Sequence, residues 1–238
     1  MSTPFDDART ALQRVAVHVI ARARIEHSGR FSLRVTPGGF GTPDLGTDGR
    51  RVRVSGTHLV VESDQVGAAS VATLAIDGAS LAQLAAAVGV DLGETIDVGH
   101  DTPPLGDIDA PMALDPAGAL ELVEWFGQTA AILDRVLAAL PSHATPTLPR
   151  LWPEHFDVAV EAQATAERRV NLGGSPGDAP GDQPYLYVGP WTADRPGDSD
   201  FWNAPYGAKR TFGELAADPA GVIGAGAAFL LDGYERLR

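Results

Sequence analysis

LWPEHFDVAVE, residues 151–161, is the stretch on which the fold turns. Read as a single strand, its side chains alternate between two faces. Trp152, Glu154, Phe156, Val158 and Val160 fall on one face, and Pro153, His155, Asp157 and Ala159 on the other. Two later segments carry the same alternation, RRVNL at 168–172 and PYLYVGPW at 184–191. Paired beside the first, they put Val170, Leu172, Leu186 and Val188 on the apolar face. Arg169, Asn171, Tyr185 and Tyr187 then join His155 and Asp157 on the polar one.

Two functional readings fit that polar face. It is either the solvated side of an antiparallel sheet, with Asp157 and Arg169 as a weak cross-strand pair, or the floor of a small-molecule pocket. In the second reading Trp191, Phe201 and Trp202 form an aromatic rim. His155 and Asp157 are then the candidate catalytic pair, a general base and its orienter. Arg169, Asn171, Tyr185, Tyr187, Trp191 and Trp202 are the candidate substrate-binding residues, Arg169 for an anionic group. A metal site would need His155 and Asp157 plus His100 or Asp101 from the loop at 99–111. The remaining histidines are scattered and no HExxH occurs, so no metal is assigned.

Working outward, Thr3-Pro4 opens a helix to about residue 26, closed by Ser28-Gly29. FSLRVT (31–36), RVRVSG (51–56), HLVVES (58–63) and VATLAI (71–76) read as strands, with the glycine-rich TPGGFGTP (36–43) as a loop. Ser80 and Gln83 make a capping box for a helix that Gly89 stops. ETIDV (94–98) reads as a short strand, and Asp115-Pro116 opens a long helix ending before Pro141. PSHATPTLPR (141–150) is a linker, NLGGSPGD (171–178) a second glycine-rich loop, and Asp218-Pro219 opens the last helix. The motif DPAG at 115–118 recurs at 218–221. The expectation is an α+β fold, antiparallel sheet packed by long helices. It forms one domain over 1–238, with similar α-β-β-β-α halves at 1–112 and 113–238 as an alternative to coincident turn chemistry.

These segments resemble an uncharacterised family of bacterial proteins, frequent in actinobacteria. The resemblance runs through IDGASLAQLAAAVGV (76–90), LDPAGALELVEWF (114–126), PEHFDVAVE (153–161), PYLYVGPW (184–191), FWNAPYG (201–207) and ELAADPAGVIGAGAAFL (214–230). In that family an aromatic stretch separates His-Phe from Phe-Asp, whereas here the two are fused as HFD. The resemblance implies a soluble bacterial domain and assigns no reaction.

Composition narrows the function classes. Without cysteine, disulfides, thiolate chemistry and cysteine metal sites are excluded. Neither glycine-rich stretch matches a dinucleotide or phosphate-loop pattern, and no GxSxG elbow occurs, so no cofactor is assigned. The first residues lack a basic segment followed by an apolar run, and AGVIGAGAAFLL (220–231) is too short to span a bilayer, so a cytoplasmic protein without membrane contacts is expected. No pattern specifies an oligomeric state. The best reading is a small-molecule-binding protein or enzyme centred on His155. The alternative is a non-catalytic interaction protein using the aromatic segment 185–206.

The formal net charge is −13, and the basic residues are spread along the chain. Such a field repels phosphate backbones. A gel-shift assay at about 0.15 M salt should therefore detect no DNA or RNA binding.

Overall fold

The first helix begins as Thr3-Pro4 dictates. The Thr3 side chain accepts from the Asp6 N–H while Asp6 reaches back to the Thr3 N–H, and proline takes the first helical position. The computed structural model describes residues 3–47, 49–64, 69–93, 96, 98–99 and 101–238. Helix α1 (Pro4–Val15) continues as a π-helical segment (Ala16–Ala21) and then as α2 (Arg22–Ser28). Gly29, in the left-handed region, ends it.

Strands β1 (Arg34–Thr36), β2 (Gly39–Gly41), β3 (Arg51–Ser55), β4 (His58–Ser63) and β5 (Ser70–Ala75) form an antiparallel sheet in sequence order. Helix α3 (Leu81–Val88) follows, with the expected Ser80–Gln83 capping box and Gly89 stop. The long helix α4 (Pro116–Ala139) is capped by Asp115, whose Oδ1 accepts from the N–H groups of Ala117 and Gly118. Strands β6 (Arg150–Trp152), β7 (Asp157–Gln163), β8 (Arg169–Ser175), β9 (Tyr185–Pro190) and β10 (Ala208–Thr211) make a second antiparallel sheet, ordered β10-β9-β8-β7-β6. Helices α5 (Phe212–Ala216) and α6 (Gly221–Arg236) close the chain. The fold is α+β, with two five-stranded meanders. Among the described residues no helix is long and apolar enough to cross a membrane.

The chain folds as two compact units, residues 1–124 with 151–156, and residues 125–150 with 157–238. The stretch at 151–161 is thus divided, because it is not one strand. Residues 153–156 form a turn in which the Phe156 N–H donates to the Trp152 carbonyl at 2.7 Å. Pro153 supplies no donor to continue a ladder, and Phe156 adopts a left-handed φ of 56°. Everything up to Phe156 is tied into the first unit. Leu151 exchanges backbone hydrogen bonds with Leu33, Trp152 packs edge-on against Phe31, and Gln13 Nε2 donates to the Glu154 carbonyl at 2.7 Å. Phe156 is buried against Phe40, with ring centroids 5.3 Å apart.

Three further expectations are corrected. Both glycine-rich stretches contain strand: Gly39-Phe40-Gly41 is β2, after a turn at Pro37-Gly38, and Asn171 through Ser175 lies in β8. A Cβ on Gly39 or Gly41 would collide with β3, and one on Gly173 or Gly174 with Tyr187 or Thr129, while Gly38 and Gly177 keep the positive φ of turns. The last helix starts at Gly221, three residues after Asp218, because Asp218 instead closes a tight turn, its carbonyl accepting from the Gly221 N–H and its Oδ1 from the Ala220 N–H. Of ETIDV, Glu94, Thr95 and Asp97 lie outside the described residues, while Ile96 and Val98 are not in a strand.

In the second unit the apolar sheet face carries Val158, Val160, Val170, Leu172, Leu186 and Val188, all buried. Helix α6 reaches this face through Gly226 and Gly233, two turns apart. A Cβ on Gly233 would stand 2.5 Å from a Val188 methyl, and one on Gly226 2.7 Å from Leu186. Only glycine admits that approach.

Substituting Phe156→Ala empties a fully buried site and should cost about 3–5 kcal/mol in a denaturation curve. A loss below about 1 kcal/mol would place Phe156 outside the core.

Candidate functional site

His155 sits in the turn that ends the excursion into the first unit, so strand alternation does not govern its direction. Its Nδ1 lies 2.8 Å from Asp101 Oδ2, with both side chains half-exposed. Its Nε2 is 3.9 Å from Oε1 of Glu154, whose side chain is buried. Asp101 comes from the loop at 99–111, which is clasped to the first helix. Arg14 Nη2 donates to the Leu105 carbonyl at 2.6 Å and His18 Nε2 to the Pro103 carbonyl at 2.9 Å. His18 is held below its ordinary pKa, first by burial and further by Arg14 and Arg22, against the opposing hydrogen bond to Pro103. The imidazole of His155 is therefore oriented by Asp101. His100 lies outside the described residues. Among the described residues no cluster of three or more His, Cys, Asp or Glu is arranged to hold a metal ion.

Asp157 opens β7 in the second unit and is buried. The strand registers extend its face across the sheet. Ala159 pairs with Gly173, Gly173 with Tyr187, and Tyr187 with Lys209. One row toward the strand end, Glu161 pairs with Asn171 and Asn171 with Gly189; on the other side, Ser175 pairs with Tyr185 and Tyr185 with Thr211. Asp157, Arg169, Asn171, Tyr185 and Tyr187 thus share one face as the alternation predicts, and Trp191 follows at its end.

Gly173 decides what this face becomes. A Cβ there would lie 2.8 Å from the Tyr187 Cζ and hydroxyl. With no side chain in the way, the Tyr187 phenol crosses β8 and its hydroxyl donates to Asp157 Oδ2. The neighbouring Tyr185 hydroxyl donates to Asp178 Oδ2 at 2.7 Å, and Ser175 Oγ accepts from the Gly177 N–H at 3.1 Å. Tyr206 stacks on Tyr185 and meets Tyr187 edge-on. It stands in a tight turn closed by Ala204 and Gly207, and Arg195 Nη2 donates to its carbonyl at 3.1 Å. Lys209 Nζ lies over the Tyr185 ring.

Three tyrosine hydroxyls are consequently held in the neutral form. Burial pushes the Tyr187 pKa well up, and the adjacent Asp157 carboxylate pushes it further. Burial and then the hydrogen bond to Asp178 do the same for Tyr185. For Tyr206 burial outweighs the opposing hydrogen bond with Tyr185. Tyr185 and Tyr187 donate hydrogen bonds, and none of the three acts as a base near neutral pH.

The remaining candidates are engaged elsewhere. Arg169 forms an ion pair with Glu161 and its guanidinium lies 5.3 Å from the Trp191 ring centroid. The expected Asp157–Arg169 pair does not form, because the register sets Arg169 opposite Gln163. Trp191 Nε1 donates to Asn171 Oδ1 at 3.0 Å. Trp202 does not join the tyrosines; it packs on Phe201 and Arg195 and donates to the Pro196 carbonyl. Ser175, Asp178, Tyr206 and Lys209 escaped sequence reasoning. The alternation that placed Tyr185 also places Lys209 once β10 is recognised, but Asp178 and Tyr206 arrive from turns, where no periodicity operates.

Comparison of the chain with protein-family models, with curated proteins and with solved structures gives no match.

All four tyrosines, Tyr234 included, have folded-state pKa values raised above the ordinary value. Their stabilising contribution is complete below about pH 10, the unfolded-state value, and is lost as the pH climbs through the folded-state values. Tyrosinate absorbance should thus stay low near pH 10 and rise together with alkaline unfolding. At neutral pH, Tyr187→Phe takes a donor from the buried Asp157 carboxylate and should cost about 1–3 kcal/mol.

Proposed function

We propose that the tyrosine–carboxylate face of the second unit binds a small molecule. The observation that carries this reading is the buried Asp157 carboxylate receiving the Tyr187 hydroxyl on the polar side of the sheet. A solvated sheet face needs no such group, since burying a carboxylate is costly even when it is hydrogen-bonded. Networks of this kind, with several shifted titrations at one place, concentrate at ligand and reaction sites. Asp157, Ser175 and Asp178 would receive donors from the ligand, and Tyr185, Tyr187 and Tyr206 would supply apolar walls. The His155–Asp101 pair belongs to the first unit. The reading supposes a bacterial, cytoplasmic protein of the actinobacterial family that the chain resembles. The acidic composition and the segments that carry that resemblance support it.

The interaction reading retains one supporting observation. Trp191 is 59% exposed yet fixed by Asn171 and Arg169, as an anchor for a macromolecular partner would be.

Incubation with an aqueous metabolite extract, gel filtration and mass spectrometry of the released compounds distinguishes these readings. A compound enriched on the parent protein and lost on Asp178→Ala is expected. An identical set of compounds on both proteins would overturn the small-molecule reading.

A further inference from the structure

Among the described residues each sheet ends in two edge strands, β1 and β5 in the first sheet and β6 and β10 in the second. An edge strand offers unpaired N–H and C=O groups to any strand that approaches, and proteins guard such edges by keeping them short or charging them. β1 and β6 have three residues each and β10 has four, and they carry Arg34, Arg150, and Lys209 with Arg210. β5 has neither guard. Its six residues, SVATLA, include no charge and no proline, and they pair one-to-one with β4 without a bulge. Val71 is 69% exposed, and of the six only Leu74 is partly covered.

The ladder fixes which backbone groups of β5 are open. The Ile76 N–H donates to the Thr57 carbonyl at 3.0 Å. By the alternation of an antiparallel pair, the backbone groups of Leu74, Ala72 and Ser70 then also face β4. Those of Val71, Thr73 and Ala75 point the other way, where no described strand lies. Independently of the small-molecule reading, we infer that β5 pairs antiparallel with β5 of a second copy of the chain, about a two-fold axis at Thr73. In that register Val71 of one copy meets Ala75 of the other and Thr73 meets Thr73, so every outward donor faces an outward acceptor. Between them Ala72 meets Leu74. Each large apolar side chain stands opposite a small one, which makes the strand complementary to itself. Charge favours the same place. The chain carries a net charge of −13, so two copies repel, and β5 lets them touch without setting like charges side by side. The two-fold uses up both β5 edges, so assembly closes at two copies. Six residues a side is short of the roughly 20–30 of a stable interface, so the dimer is reversible.

Sedimentation velocity of the full chain, from micromolar to millimolar concentration, tests the inference. The parent should pass from monomer to dimer as concentration rises. Thr73→Pro removes an outward N–H and no bond to β4, so the chain's own ladder survives while the dimer is lost. Thr73→Lys sets like charges against each other across the axis and should also stay monomeric, with an unchanged unfolding curve. If Thr73→Pro does not fold, Thr73→Lys decides. Because the chain has no cysteine, Thr73→Cys supplies a single thiol. A short bis-maleimide should couple it into a covalent dimer, and should not couple Leu148→Cys, at a position 71% exposed elsewhere on the chain. A parent that stays monomeric at every concentration would overturn the inference and leave the edge to a strand of another protein. So would a dimer that Thr73→Lys leaves intact, or association that continues past two copies.

Discussion

Phe156 combines a buried aromatic side chain with a left-handed backbone. That backbone costs roughly 1–2 kcal/mol for a residue with a Cβ. Burying the ring against Phe40 returns about 1.5–3 kcal/mol. The balance holds the turn at 153–156, and the turn determines where the neighbouring ionisable groups belong. Glu154 and His155 stay with the first unit, where Asp101 meets the imidazole. Asp157, the next residue after Phe156, begins a strand of the second unit and is buried under Tyr187. Three consecutive residues, His155, Phe156 and Asp157, therefore contribute to three different environments.

The second constraint is the absence of a side chain at Gly173. In a sheet, directly opposed side chains stand side by side and exclude one another from the backbone between them. Removing one lets its neighbour lie flat across the strand. Tyr187 uses that space to reach a carboxylate on the next strand but one. The consequence is electrostatic as well as steric for Tyr187. The phenol satisfies one oxygen of Asp157, and burial together with that carboxylate keeps the Tyr187 hydroxyl protonated.

The π-helical segment at Ala16–Ala21 belongs to the same pattern of local irregularity near ionisable side chains. It carries His18, buried and facing the carbonyl of Pro103 in the loop that also supplies Asp101. In each unit, then, an irregular piece of backbone positions the groups with chemical capacity: a turn and a widened helix in the first, a glycine and two tight turns in the second.

The sequence by itself determined the elements that periodicity and local punctuation mark. Thr3-Pro4, Ser80 with Gln83, and Asp115-Pro116 marked helix starts because capping is a local interaction between residues three or four apart. The alternation of β3, β4, β8 and β9 identified strands, and for the second unit it put Asp157, Arg169, Asn171, Tyr185 and Tyr187 on one face. The tertiary structure alone decided which of these meet. His155 left that face because the turn at Pro153 interrupts the alternation, and Arg169 turned to Glu161 because register is set by long-range pairing. Tyr206 and Asp178 entered the cluster from turns. Their positions depend on where the turn is anchored, by Ala204 and Gly207 in one case and by the Tyr185 hydroxyl in the other. Such contacts join residues that share no periodicity, so only the folded chain brings them together.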